Sequence, residues 1–289
     1  MKNLFLIILI GCIPLLGNAQ GLKFGFKTGM TISKINGPSE QANGTDLESN
    51  TTTGGFMVGA IIGYKFTDLA GIKLELLYNQ KGTKYNFEGP GYQVFPTQTG
   101  GQTTLTGEQR IDLDVSTSYL DIPIMAYGRV GKFELEGGVS LGLLLSASGS
   151  GELEINGVAA SGASTGTYNG VLDYRYNRDN PGIVTTPDLV EINVDGQVVN
   201  VPKILTAFYP FTTDRGRYYN VLDIGLVGGI NYYWNQTLYL GARLNYGLLD
   251  VTSNDGYDVS KATLNGGNFI TQSDKDQNFS IQISLGFSF

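Results

Sequence analysis

The sequence predicts an all-β chain that closes as an eight-stranded antiparallel up-and-down transmembrane β-barrel. Three observations carry this. Eight segments place apolar residues at every second position, and their connections alternate between short and long. After the first twenty residues, no stretch is continuously apolar for the ~18 residues a membrane helix requires. A chain that crosses lipid without such helices does so as a closed barrel, because backbone polar groups in hydrocarbon need partners inside the structure.

The pattern is cleanest in the last segment, where Phe279, Ile281, Ile283, Leu285, Phe287 and Phe289 alternate with Ser280, Gln282, Ser284, Gly286 and Ser288. Period two puts one set on each face of a strand. The first set is assigned to lipid, and the segment is read as the strand that closes and terminates the barrel. The first segment matches it: Leu22, Phe24, Phe26, Met30 and Ile32 alternate with Lys23, Gly25, Lys27, Gly29 and Thr31. Further segments run from Phe56 to Phe66, from Ile72 to Tyr78, from Phe133 to Leu145, from Leu222 to Tyr232 and from Leu238 to Leu248. The fourth segment begins as Ile111, Leu113 and Val115, then continues out of phase as Leu120, Ile122, Ile124 and Ala126. Such a change predicts a β-bulge between Thr117 and Tyr119.

Short links fall at 67–69, 130–132 and 234–236, and long ones at 35–53, 86–109, 149–216 and 251–276. Short turns on one side and long loops on the other, with an even strand count, mark outer-membrane barrels and put both termini on the periplasmic side. Tyr64, Phe66, Tyr78, Tyr232, Trp234 and Tyr246 fall near strand ends, as an interfacial aromatic girdle would. The competing fold is a soluble barrel with the apolar face turned inward. A polar face rich in Gly, Ser and Asn, with few charges, favours the membrane version, since a solvated face is more heavily charged.

Residues 1–19 read as a signal peptide, with Lys2, an apolar run over 4–16 and small residues at Gly17 and Ala19 that predict cleavage between Ala19 and Gln20. Residues 20–289 then form a single barrel domain. Leu9-Ile10-Gly11-Cys12 also resembles a lipoprotein box, but that cleavage would leave 13–16 as an apolar stub on the mature chain. Cys12 is the one cysteine, so removal of the signal leaves no disulfide or thiolate chemistry.

If the apolar face meets lipid, the other face lines the lumen. It carries Lys27, Lys65, Lys73, Glu75, Asp121, Arg129, Glu134, Glu136, Asp223 and Arg243, together with Lys23. Eight strands enclose a space just wide enough for side chains to fill. The expected outcome is therefore a lumen plugged by ion pairs, the alternative a narrow ion path or proton-linked switch. Glycines such as Gly25, Gly59, Gly138 and Gly241 on this face relieve crowding.

Composition excludes several functions. A net charge of −7 argues against nucleic acid. With no histidine in the chain, Ser-His and Asp-His catalysis are ruled out, and no carboxylate pair stands out by spacing. Zinc lacks its usual ligands, and no cofactor motif is present. Asp274-Lys275-Asp276-Gln277-Asn278 resembles the opening of a calcium loop without the required Gly and closing Glu, and Asn254-Asp255-Gly256-Tyr257-Asp258 offers further oxygens. Both read more simply as turns, and no metal site is expected.

Any specific function is expected in the third loop, 149–216. Residues 148–166 read as a mobile Gly-rich stretch with a turn at Asn156-Gly157. Val190 to Val199 reads as a hairpin about Asp195-Gly196. Tyr168, Tyr174, Tyr176, Phe208, Tyr209 and Phe211 either present a recognition surface or pack the loop on itself. The loop is acidic, with 8 Asp and Glu against 4 Lys and Arg.

The chain resembles the PorT-like outer-membrane β-barrel domain family of Gram-negative bacteria. The resemblance rests on Phe24-Gly25-Phe26-Lys27-Thr28-Gly29, Tyr119-Leu120-Asp121-Ile122-Pro123, the Gly-rich fifth strand and the ending Leu285-Gly286-Phe287-Ser288-Phe289. It implies insertion into outer-membrane lipid by the barrel-assembly machinery, which reads the terminal aromatic strand. These motifs mark barrel construction and carry no chemistry. The expected function is therefore non-enzymatic: recognition through exterior loops, by adhesion or by docking of a ligand or protein. A narrow channel, or a component of a transport or secretion assembly, is the alternative.

Overall fold

The computed structural model describes residues 21–96, 101–158, 164–183, 188–194, 197–254 and 256–289. The signal segment, with its cleavage point at Ala19 and Gln20, lies outside the described residues, as do Asp195, Gly196 and Asp255.

Eight strands build the wall: β1 (Leu22–Asn36), β2 (Thr53–Lys65), β3 (Ala70–Pro96), β4 (Gln102–Val130), β5 (Phe133–Val158), β6 (Leu222–Tyr233), β7 (Leu238–Gly247) and β8 (Gln277–Ser288). Each pairs antiparallel with the next. β8 returns to β1 in register from Gly25↔Ser288 to Asn36↔Gln277, so no edge is left open in the barrel. Phe24 and Phe289 exchange two backbone hydrogen bonds of 3.0 and 2.8 Å at the seam. No helix of the described residues is long and apolar enough to cross a membrane, and the strands do the crossing.

The outward face is a continuous apolar band. Phe26, Met30, Phe56, Leu76, Ile124, Leu135, Leu226, Leu244 and Leu285 are exposed on it, as are Ile281, Ile283, Phe287 and Phe289 of the final strand. So large an exposed apolar belt is stable only against lipid. Phe66, Tyr64, Phe133, Tyr232 and Trp234 gather at the short-turn end, and Phe56 and Tyr78 pair at 5.5 Å toward the other end.

β3, β4 and β5 have 27, 29 and 26 residues, against the ~9–11 that a tilted strand needs to cross a bilayer. Their surplus stands beyond the band at the long-loop end. There Ser164–Arg175 adds to β5 as a fourth strand. Three sequence expectations are corrected here. Residues 86–96, 102–109 and 149–158 are strand rather than loop. The Gly-rich 148–158 is held in register against β4 on one side and Ser164–Arg175 on the other. Asn156-Gly157 is not a turn, since Asn156 pairs with Glu108 and Thr167. Cross-strand pairing supplies what the side chains of this segment do not advertise. The second hairpin pairs Leu189–Val194 with Gln197–Pro202, its Asp-Gly turn lying outside the described residues.

The bulge expected in β4 at Thr117 to Tyr119 has its extra residue in the partner strand β5 instead. Ser118 pairs with Ser146 but Tyr119 with Leu144, leaving Leu145 as the extra residue of a β-bulge. The inserted residue turns the face of β5, whose buried positions change from even (Glu134, Glu136, Ser140) to odd (Ala147, Leu153, Ile155). β4 keeps its odd-numbered residues inward throughout, from Ile111, Leu113 and Val115 through Tyr119 and Asp121 to Met125. Below the bulge, apolar residues point out to lipid. Above it, Ile111, Leu113 and Val115 are buried inside, while Asp112 and Asp114 face solvent. Those three apolar residues were expected to share the lipid face, and the structure corrects this. They lie beyond the bilayer, where water rather than hydrocarbon is outside. The inward face there forms an apolar core, drawing on Phe87, Phe95, Ile111, Leu153, Ile155, Tyr168, Leu172 and Val201. We call this superstructure the vault.

Within the barrel, Tyr239 lies opposite Gly286 across the β7–β8 pair, and its ring fills the space where a Gly286 side chain would stand. A Cβ at Gly286 would approach the ring to 2.0 Å. Gly286→Val is expected to destabilise the barrel by roughly 3 kcal/mol or more through overpacking. Heat-modifiable gel migration checks this: the compact band should be lost in Gly286→Val and retained in Ser284→Ala.

Candidate functional site

Two polar or concave features stand out: a charged plug inside the barrel and a cavity inside the vault.

The plug follows from strand alternation. Positions that face inward on β1, β3, β5 and β7 bring Lys27, Glu75, Glu136 and Arg243 to one level. The Arg243 guanidinium donates Nη1 and Nη2 to the two Glu75 oxygens at 2.8 and 2.9 Å, and Nε to Glu136 at 2.9 Å. Lys27 Nζ lies 2.6 Å from Glu75, and Lys73 Nζ donates to Glu136 at 3.0 Å and also to Glu134. Asn231 donates to Glu134 and Glu136 at 3.0 and 2.8 Å, and the Tyr233 hydroxyl donates to Glu134 at 3.3 Å. Three cations balance three carboxylates, all buried. Such closely matched donors and acceptors are what a charge removed from water requires.

A second cluster sits one step toward the vault. Lys81 Nζ donates to Asp121 at 3.2 Å, stands 3.8 Å from Asp223 and lies over the Tyr119 ring at 4.5 Å. Asn79 donates to Asp121 at 2.7 Å and Asn278 to Asp223 at 2.9 Å. Ser280, Gln282 and Ser284 of β8 complete the buried polar wall.

Eight of the ten lumen residues named from sequence fall into these clusters: Lys27, Lys73, Glu75, Glu134, Glu136 and Arg243 in the first, Asp121 and Asp223 in the second. Lys65 and Arg129 do not join them. Both face inward but sit at the short-turn mouth, where water competes. Lys65 pairs with Asp68 at 2.5 Å in the β2–β3 turn, and Arg129 covers the Tyr233 ring at 3.7 Å. Asn79 falls on the polar face read from the sequence for this strand, beside Lys73 and Glu75, whereas Lys81, Asn231 and Asn278 went unread. Lys81 and Asn79 continue the inward phase of Lys73 and Glu75, so extending that alternation by one residue pair would have found Lys81.

The vault encloses a cavity of about 140 Å³. Ile111, Leu113, Val115 and Leu153 give it an apolar lining on the strands, Tyr174, Tyr176, Phe211, Tyr257 and Phe269 an aromatic one, and Asn50, Thr83, Gln93 and Gln109 add polar groups between them. Phe208 stacks on Tyr257 at 3.8 Å, Phe211 meets Phe269 at 4.5 Å, and Tyr176 touches Tyr218 and Tyr219 at 5.1 and 5.0 Å. Arg215 caps the rings of Phe211 and Phe269. Of the two sequence readings of the loop aromatics, packing describes them: Tyr168, Phe208, Tyr209 and Phe211 are buried. Burial pushes the phenols of Tyr92 and Tyr168 above their ordinary range. Each donates a 2.6 Å hydrogen bond to a backbone carbonyl, of Ser260 and Pro202 respectively.

The family model that describes the outer membrane protein beta-barrel domain matches residues 18–253. Several solved structures are similar. The attachment invasion locus protein Ail of Yersinia pestis shares 9% identity over 93% of this chain and 100% of its own, with a TM-score of 0.34. Neisserial surface protein A shares 9% over 92% and 97%, with a TM-score of 0.33. The outer membrane protein OprG of Pseudomonas aeruginosa shares 12% over 93% and 96%, with a TM-score of 0.32. No curated protein matches the sequence. With the model spanning 236 of the 289 residues (18 through 253), this chain belongs to the outer-membrane protein β-barrel domain family.

Proposed function

We propose that the protein is a non-enzymatic recognition barrel of the outer membrane that takes a compact, uncharged aromatic or apolar molecule into its extracellular vault. The observation that carries this reading is the cavity. It is lined largely by apolar and aromatic side chains, with a few polar groups among them, as ligand pockets commonly are. The apolar ones lie chiefly on strands β3, β4 and β5, the aromatic ones mostly on the connections packed over them. The carboxylates of Glu48, Asp258, Asp274 and Asp276 on its lining disfavour anions. Absence of histidine supports a role without acid–base chemistry. Within the family, the PorT-like branch is the placement we favour, on the segments from Phe24 to Gly29 and from Tyr119 to Pro123. Export by a signal cleaved after Ala19 in a Gram-negative cell, and insertion by the barrel-assembly machinery, belong to the same proposal.

Isothermal titration of the detergent-folded protein with indole and indole-3-acetate tests it. Indole should bind saturably and the anion about tenfold more weakly, a difference of ~1.4 kcal/mol. Leu153→Trp, which fills the cavity, should abolish indole binding. Failure of indole to bind, or binding unchanged in Leu153→Trp, would remove the proposal. The buried plug favours recognition over conduction, so planar bilayers should show no steady current from the wild-type barrel; a steady current lost in Arg243→Ala would establish the channel reading instead.

A further inference from the structure

The last extracellular connection brings together two segments that the sequence holds apart. Asp258 comes from one, Asp274 and Asp276 from the other. One carboxylate oxygen from each residue lies within 4.8 Å of the other two. That spacing is the span of a single hard cation: two oxygens on opposite sides of a calcium ion, each at ~2.4 Å, stand ~4.8 Å apart.

Proximity of acidic groups alone is common at protein surfaces. Here two further observations point to a missing partner. Asp258 is only 6% exposed, lines the cavity, and receives no hydrogen bond at its carboxylate from any described residue. Beside it, Asp274 Oδ1 and Asn254 Oδ1 are also buried without a donor. Buried oxygens are ordinarily satisfied, so these two orphaned acceptors beside the Asp258 carboxylate call for a common donor or cation.

The neighbouring Asp250 shows the contrast. It accepts from Thr252 N, Thr252 Oγ1 and Asp276 N at 3.2, 3.1 and 3.1 Å, and from Asn254 Nδ2 at 3.0 Å. Asn254 Nδ2 also donates to the Asp274 carbonyl at 3.1 Å, which ties the two segments together. Asp250 is thus a positioning residue, fully engaged with backbone and side-chain donors. Of the oxygens it helps to aim, Asp276 Oδ2 accepts from Thr252 Oγ1 at 3.1 Å, while Asp274 Oδ1 and Asn254 Oδ1 remain open.

We infer that Asp258, Asp274 and Asp276, with the Asn254 side-chain oxygen beside them, form a calcium site in the wall of the vault. Calcium suits the set better than magnesium. The donors are all oxygens on two loop segments, and such a site tolerates the irregular, six- to eight-fold geometry that calcium accepts and magnesium does not. The inference does not rest on what the cavity holds.

Proton competition follows from the surroundings. Burial, the first cause, and the neighbouring carboxylates push Asp258 up to about 6 and Asp276 up to about 7; Asp274 moves in the same direction, with burial again first. Facing these groups are Asp250, Glu48, the Lys261 ammonium and the phenols of Tyr85, Tyr218 and Tyr219. A carboxyl whose folded pKa lies above its unfolded value favours the fold below the unfolded value. That contribution is lost as pH rises through the folded one. Without a cation the vault should therefore lose stability between about pH 4 and pH 7, and calcium should restore it. Calcium affinity should accordingly rise from pH 5.5 to pH 7.5.

The test is calcium titration of the full-length, detergent-folded protein after chelator treatment, with no aromatic probe present. One saturable site is expected, weakened about tenfold or more in Asp258→Asn and in Asp274→Asn and unchanged in Asp112→Asn. Terbium bound to the wild-type protein and displaced by calcium gives the same reading without any substitution. Absence of saturable binding up to about 10 mM, well above the ~10⁻³ M of weak extracellular sites, overturns the inference. So does equal binding by the Asp258→Asn/Asp274→Asn double variant. Indole titration repeated in chelator keeps the two proposals separable, since either ligand can fail alone.

Discussion

Replacing Arg243 with alanine is expected to destabilise the folded barrel by about 3–5 kcal/mol, measured by urea unfolding in lipid vesicles. Arg243 is the cation shared by Glu75 and Glu136, and its five N–H groups fit the two carboxylates at once. Removing it leaves three buried carboxylates to two lysines, with no water to take over the lost hydrogen bonds. The effect should not be additive. Glu75→Gln in the Arg243→Ala background restores two cations to two anions, so the double variant should recover at least about 1 kcal/mol of the single variant's loss. Lys65→Ala and Arg129→Ala, at the wetter mouth, should each cost well under about 1 kcal/mol. A loss at Arg243 no larger than theirs would show that the plug contributes little, and would reopen the lumen as a path.

Much of the barrel was legible because lipid and lumen impose opposite chemistries on alternate residues. Phe279 to Phe289 shows this in eleven letters, and the same rule found seven partners for it and most of the plug. It failed where the solvent changes. Ile111, Leu113 and Val115 obey the same alternation as Ile122 and Ile124, but beyond the bilayer apolar residues turn inward. Period two says that there are two faces and never which of them is wet. The phase change at Thr117 to Tyr119 was the visible trace of that boundary. The Gly-rich stretch after Ser148 failed for another reason: it is a strand because β4 pairs with it, and pairing across forty residues leaves no local mark. The vault cavity was equally illegible, since its walls come from widely separated segments, from Ile35 to Asp276. The acidic runs 254–258 and 274–278 each looked like ordinary turns, and only folding sets Asp258 beside Asp274 and Asp276.

The second large effect should fall on the vault alone. Phe208 is buried, stacked on Tyr257 and packed against Tyr176, at the junction of the last two extracellular connections. Truncating a buried phenylalanine costs about 3–5 kcal/mol through lost contact and the cavity left behind. Vault and barrel have different cores, one apolar and enclosed in water, the other a charged plug enclosed in lipid. Their cooperative units should accordingly separate. In Phe208→Ala the compact, heat-modifiable barrel band should persist, while limited proteolysis should cut newly accessible sites in 205–219 and 256–276. Tyr232→Ala, on the lipid face, should keep the compact band and open no new cleavage sites. The consequence for function follows from the same contacts: Tyr257 is the neighbour of Asp258, and Phe211 and Tyr257 both line the cavity. Loss of the Phe208 ring should therefore weaken indole and calcium together, although the two ligands touch different atoms. If binding survives in Phe208→Ala while proteolysis proceeds, the cavity is held by the strands of β3, β4 and β5 alone, and the aromatic wall is packing rather than recognition.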